Sequence, residues 1–257
     1  MSDSQRDGSK TVIATASPVI ELRQYTLYPG TRDTFVELFD RELIEPQEAE
    51  GIRVIGQFRD IGDPNRFVWL RGFADMPSRE KALTNFYFHA PAWKAHSEAA
   101  RLAVIDSTDA LLLRPPAVKY AFSLPPSDQR SSIDSELPEG IVVASVYSLR
   151  APADGELLEF FERDVTPILE QVGGAVLGAF VTDPSPNNFA RSPLREGENV
   201  FCSFWGFRDL AHYHEYVAAL GSDQRWRTET FPELMRRIAG RPHTMRLTPT
   251  SRSQLRF

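Results

Sequence analysis

Residues 19–27 read VIELRQYTL, and residues 141–149 read IVVASVYSL. The first alternates apolar with polar or aromatic residues, and both are rich in strand formers, so each reads as a β-strand opening a similar unit. The match places Tyr25 on Tyr147. Further matches follow in order. FVELFDRE (35–42) lies on LLEFFERD (157–164), and GIRVIGQF (51–58) on GAVLGAF ending at Phe180, which puts Gly56 on Gly178; these three blocks share an offset of 122. NRFVWLRGFAD (65–75) lies on NVFCSFWGFRD (199–209), with Gly72 on Gly206, and LLLRP (111–115) on MRLTP (245–249), both at an offset of 134. Blocks matching in one order mark an internal duplication. The offset changes between the second and third strands. There the first copy has only DIGDPN (60–65), whereas the second has TDPSPNNFARSPLREGEN (182–199). The Pro, Asn and Ser content of the longer segment reads as a surface loop.

Working outward, each copy reads β-α-β-β-α-β, the ferredoxin-like order. Phe35, Leu38, Phe39 and Leu43 form a helical stripe, matched by Leu157, Phe160, Phe161, Val165, Ile168 and Leu169. Pro46 and Pro167 fall late in these helices and are expected to kink or end them. FVWLRGF and FCSFWGF are apolar on both faces, so each strand needs a cover on both sides. Two four-stranded antiparallel sheets facing each other, helices outside, satisfy that need. The expected fold class is therefore α+β: tandem βαββαβ repeats forming a dimeric α/β-barrel-type unit within one chain. The expected boundaries are a flexible leader over 1–17, a first repeat over 18–116, a linker over 117–140, a second repeat over 141–249, and a fraying tail over 250–257.

Composition narrows the partners. The chain has 257 residues, 42% hydrophobic, 25% charged, with a formal net charge of −6. It can bury a core, and it lacks the clustered Lys and Arg that bind phosphate backbones, so neither nucleic acid nor an acidic membrane surface is an expected partner. A small-molecule ligand and a homo-oligomer are. One cysteine, Cys202, cannot form an intrachain disulfide and sits in an apolar strand, where it reads as core. The N-terminal segment lacks the apolar run of a signal peptide. Together these suggest a cytoplasmic protein.

From Phe67 to Pro115 the chain carries Arg71-Gly72-Phe73, Arg79, Phe86-Tyr87, Pro91, Trp93-Lys94-Ala95-His96, Asp106-Ser107 and Leu111 to Pro115. This block resembles the signature of the NIPSNAP family, a branch of the dimeric α/β-barrel superfamily. It departs at His89-Ala90, where bacterial relatives often have a glycine before the proline. The second repeat keeps Trp226 near the Trp93 position but loses the F-Y and W-K-A-H signature. The resemblance implies the barrel fold but no agreed activity, because fold alone does not carry function. The wider superfamily includes haem enzymes, haem-degrading and cofactor-free monooxygenases and dehydratases.

The candidate site lies in the first repeat. On the first strand Glu21, Arg23 and Tyr25 share a face, and on the third Trp69 and Arg71 do. If those faces point into the barrel, they line a cavity for a flat or carboxylate-bearing ligand, held by stacking and bidentate hydrogen bonds, with Tyr87, His89 and Trp93 at its rim. In that reading Arg23 and Arg71 hold an anion, Tyr25 or Tyr87 gives a proton, and His89 or His96 is the base. The bland alternative pairs these arginines with Glu21 or other acids. No cofactor is predicted, although His96 or His89 makes haem possible. His212 and His214, two apart, point about 200° from each other on a helix and cannot share a metal ion, so no metal site is expected. Three classes stay open: a small-molecule-binding barrel, either a cofactor-free enzyme or a binder without catalysis, a haem protein, and a non-catalytic adaptor.

Overall fold

The computed structural model describes residues 17–257 and the backbone of Ala14–Thr15. The rest of the leader expected over 1–17 lies outside the described residues. The first repeat supplies β1 (Val19–Leu27), β2 (Arg53–Asp60), β3 (Arg66–Phe73) and β4 (Val104–Arg114). The second supplies β5 (Ile141–Ser148), β6 (Ala175–Thr182), β7 (Val200–Phe207) and β8 (His243–Pro249). They form one closed antiparallel barrel in the order β8-β2-β3-β1-β4-β6-β7-β5, and β5 closes on β8. Each half has the order second, third, first, fourth, as expected of a ferredoxin-like unit. Each half's last strand pairs with the other's second strand. Leu113 lies opposite Thr182 at one seam, and Leu247 opposite Asp60 at the other.

The helices lie outside the barrel. In the first repeat they are α1 (Arg32–Leu38), α2 (Ile44–Ala49), α3 (Met76–Thr84) and α4 (Pro91–Ala103). In the second they are α5 (Gly155–Phe160), α6 (Thr166–Gln171), α7 (Leu210–Ser222) and α8 (Phe231–Arg237). A π-helical turn precedes α2, α4, α6 and α8, at Phe39–Leu43, Asn85–His89, Phe161–Val165 and Trp226–Thr230. Each is followed within three residues by a proline: Pro46, Pro91, Pro167 and Pro232. A proline removes one N–H from the helical ladder and presses on the carbonyl four residues back. Widening the preceding turn accommodates both effects. The breaks expected at Pro46 and Pro167 thus take the form of a widened turn before each.

The barrel lumen is packed solid. Ile20, Leu22, Val68, Leu70, Leu111 and Leu113 of the first repeat meet Val142, Ala144, Phe180, Cys202, Phe204 and Leu247 of the second. Cys202 is core, as its apolar run suggests, and burial pushes its thiol well above the ordinary range. Gly56 and Gly178 sit at equivalent irregularities in strand pairing. A Cβ at Gly56 would come within 2.6 Å of the Phe58 ring, and one at Gly178 within 2.9 Å of Phe122. The duplicated glycines therefore let aromatic rings fold across the barrel.

Two segments are better ordered than their composition suggests. Phe122 and Leu124 of the expected linker are fully buried in the lumen cluster. The tail, expected to fray, packs against the barrel. Thr250 N donates to Gln57 O, Leu255 N donates to Ile55 O, and Leu255 is buried in the same cluster. Apolar side chains that can fill a barrel mouth outweigh the polar residues around them.

Candidate functional site

On β1 the side chains of Ile20 and Leu22 enter the lumen, so those of Glu21, Arg23 and Tyr25 face the helices. Across the β1–β3 ladder, Arg71 lies opposite Glu21, Trp69 opposite Arg23, and Phe67 opposite Tyr25. The face expected to line the barrel interior therefore lines a different space, between the first sheet and its helices. The lumen, closed by two apolar inner faces, has no room for it.

That space is a cavity of about 230 Å³. Its walls are aromatic: Tyr25, Trp69, Phe86, Tyr87 and Trp93, with Phe35 and Phe39 from the helical side. The rings meet mostly edge to face, Trp69 with Phe39 at 4.9 Å between centroids and Tyr87 with Trp93 at 4.9 Å. The cations Arg23, Arg101 and Arg191 also line it, and no Asp or Glu does.

Behind the cavity lies a buried charge cluster. Glu21 receives Arg23 Nη1 at 2.6 Å, Arg71 Nη2 at 2.7 Å and Arg79 Nε at 2.6 Å. All four residues are almost entirely buried. Burial alone would raise the Glu21 pKa, but Arg71, Arg23 and Arg79 together hold it far below the usual carboxylate range. One carboxylate cannot neutralise three guanidinium groups, so this interior carries a surplus of positive charge. Arg23 Nε also donates to Tyr25 Oη at 3.2 Å, and Arg71 Nη1 to Tyr87 Oη at 3.4 Å. Each phenol oxygen is an acceptor in these contacts, which leaves its own proton to give. Burial pushes the Tyr87 phenol upward while Arg71 and Arg23 pull it down.

The lid of the cavity comes from the other repeat. The loop 183–199, lengthened in the second copy, crosses to the first. Arg71 Nη2 donates to Ser192 Oγ at 2.7 Å, Arg23 Nη2 to Pro193 O at 3.4 Å, and Arg79 Nη1 to Asn188 Oδ1 at 2.5 Å. Phe189 is buried beneath it. Arg79, Gln47, Arg101, Arg191 and the loop were not among the expected site residues. Arg79 stands in the sequence as one residue of the family signature, with no role assigned to it. The one signal for the loop is Phe189, an aromatic in an otherwise polar stretch.

The expected residues divide. Arg23, Tyr25, Trp69, Tyr87 and Trp93 come together at the cavity. Arg71 stands outside its lining, with its guanidinium 5.1 Å from the centre of the Trp69 ring. His89 is exposed. His96 is partly exposed and faces Glu42, Nε2 to Oε2 at 3.4 Å. No histidine, cysteine or methionine lines the cavity, so its walls offer haem iron no imidazole or sulfur ligand. Among the described residues no three His, Cys, Asp or Glu side chains converge on a common point, and no helix is long and apolar enough to cross a membrane.

The equivalent place in the second repeat is apolar. Val143, Ser145 and Tyr147 stand at the positions of Glu21, Arg23 and Tyr25, and Trp205 at that of Arg71. Trp205, Tyr147, Phe161 and Phe201 pack there into a continuous apolar cluster.

The molecule is thus a dimeric α/β-barrel protein folded from a single chain, with a covered, cationic, aromatic cavity in its first half. The NIPSNAP family model matches residues 20–119 and again 143–254, and the chain belongs to the NIPSNAP family. The fold recurs in a candidate monooxygenase from Fusobacterium nucleatum, at 12% identity and a TM-score of 0.52, covering 91% of this chain and 93% of that one. It recurs too in an anthrone oxidase-like protein, at 12% identity and a TM-score of 0.54, covering 93% and 95%. A NIPSNAP family protein from Agrobacterium tumefaciens is 27% identical over 46% of this chain and 99% of its own, with a TM-score of 0.37. No curated protein matches the sequence.

Proposed function

We propose that the first-repeat cavity binds a planar aromatic molecule carrying an acidic group, a carboxylate or a phenolate. The observation that carries this reading is the lining: three arginines and no carboxylate in a chain of net charge −6. A cavity with fixed cationic and hydroxyl donors in an aromatic wall favours a flat anion, because the ring replaces water against apolar surface while the acid meets donors already in place. In this reading the Tyr25 and Tyr87 hydroxyls, backed by Arg23 and Arg71, meet the acidic group. Arg101 and Arg191, both exposed, draw it toward the mouth.

A catalytic extension uses the same groups. Of the residues expected to move protons, Tyr25 and Tyr87 line the cavity and His89 and His96 do not, so a proton transfer in this reading runs through one of the two tyrosines. An anthrone, as in the name of one barrel-sharing protein, is a fused aromatic ketone whose enol is a phenol, and so belongs to the proposed ligand class.

Isothermal titration calorimetry with 2-naphthoate and its neutral relative 2-naphthamide tests the reading. The acid is expected to bind at least tenfold tighter, and Arg23→Met to remove most of that preference, as loss of about 1.4 kcal/mol or more implies. Equal binding of acid and amide, or no binding of either at millimolar concentration, would overturn it.

A further inference from the structure

Two residues that line the cavity each carry a buried polar atom that the protein leaves without a partner: Trp69 Nε1 and Gln47 Oε1. Trp69 is 2% exposed and Gln47 1%. Unpaired groups of this kind are uncommon in folded proteins, since each loses its hydrogen bond to water without replacing it. The orientation of the Gln47 amide is fixed by its other half. Nε2 donates to Leu43 O at 2.8 Å, and a carbonyl can only accept, so the amide oxygen is the atom left free.

The second repeat shows that the fold does not need this arrangement. By the 122-residue offset Gln47 corresponds to Leu169, an apolar core residue. By the 134-residue offset Trp69 corresponds to Ser203, and the indole of Trp205, at the Arg71 position, donates from Nε1 to that Ser203 Oγ at 3.1 Å. In the first repeat, an indole donor and an amide acceptor stay unanswered on two residues that line a cavity. A hydroxyl group answers both, since its oxygen accepts from an N–H while its proton goes to a carbonyl.

We infer that Trp69 Nε1 and Gln47 Oε1 form a second polar subsite that receives a hydroxyl on the ligand's ring, so that the ligand class is the hydroxylated aromatic acids. The inference rests on the proposed binding of a planar acid and adds a second point of attachment to it. Two attachments on one rigid ring fix its orientation, and an analogue lacking the hydroxyl leaves both protein atoms unpaired in the complex.

The test compares 6-hydroxy-2-naphthoate with 2-naphthoate by calorimetry on the full chain. The hydroxylated acid is expected to bind about tenfold tighter, the size of two net hydrogen bonds. In Gln47→Leu, which installs the second repeat's residue, and in Trp69→Phe, that ratio should fall toward one. The ratio is internal to each variant, so a general loss of stability does not mimic the result. A ratio of one in the unaltered protein, with both acids binding, overturns the hydroxyl subsite and leaves the aromatic-acid reading intact. A tenfold ratio that survives both substitutions also overturns it, placing the hydroxyl elsewhere. Failure of both acids to bind overturns the two readings together.

Discussion

Phe189, from the second repeat, stacks on Tyr87 of the first, with 5.8 Å between ring centroids and 20° between their planes. The pair joins the lid to a wall of the cavity. Phe189→Ala removes the stack and the apolar area beneath the lid, while the arginine contacts to Ser192 and Asn188 remain. An aromatic pair contributes about 0.5–1.5 kcal/mol beyond its burial. Dissociation of bound naphthoate should therefore quicken by roughly tenfold in a stopped-flow displacement experiment, with circular dichroism unchanged. Unchanged dissociation would mean that the lid does not control exit.

Glu21 is the counter-charge for three guanidinium groups. Glu21→Gln should cost about 3–5 kcal/mol in chemical denaturation, because it leaves buried cations facing one another. Arg71→Met should cost less, since Arg23 and Arg79 still hold the carboxylate. The pH dependence has a definite sign. The folded pKa is depressed, so the stabilisation from Glu21 is present above its unfolded value of about 4.5 and is lost as pH falls toward the folded value. The stability difference between the parent chain and Glu21→Gln should shrink below about pH 4.5. A constant difference would disprove the role.

Asp40 behaves oppositely. It lies in the first π-helical turn, is 2% exposed, and burial pushes its carboxyl up to about 6, with Thr250 and Arg252 pulling the other way. A raised acidic pKa means that the folded state binds the proton more tightly than the unfolded state. Stability from this group therefore falls as pH rises from about 4 through 6. Asp40→Asn should be more stable than the parent at pH 7 by about 2–3 kcal/mol, a difference that vanishes near pH 4. Urea denaturation at both pH values measures it. Equal effects at the two would show that Asp40 does not titrate there.

The duplication, the β-α-β-β-α-β order and the closed barrel were legible in the sequence. They follow from local alternation and from blocks that match at fixed offsets, and neither depends on long-range detail. The facing of β1 was not legible. Ile20 and Glu21 are both fully buried, so alternation separates two faces without saying which one enters the lumen. Arg23, Tyr25, Trp69, Tyr87 and Trp93 were found together because they share one strand face or one family motif. Gln47 was missed because a polar residue on a short helix reads as solvent-facing until tertiary packing covers it, and Arg79, although in the family motif, because its partner Glu21 lies on a distant strand. The packing of the tail was not legible for a related reason: Leu255 is a single apolar residue among polar ones, and only the lumen cluster it joins gives it somewhere to go.

The lid and the cavity belong to different repeats of one polypeptide, and this changes what a single mutation can do. In a barrel built from two identical chains, every substitution is made twice, so a change that improves a cover also alters the copy that must stay packed. Here the covalent link separates the two fates. One half is free to open a cavity while the other keeps a packed interior and lends a strap, and the two halves of one molecule need not change together.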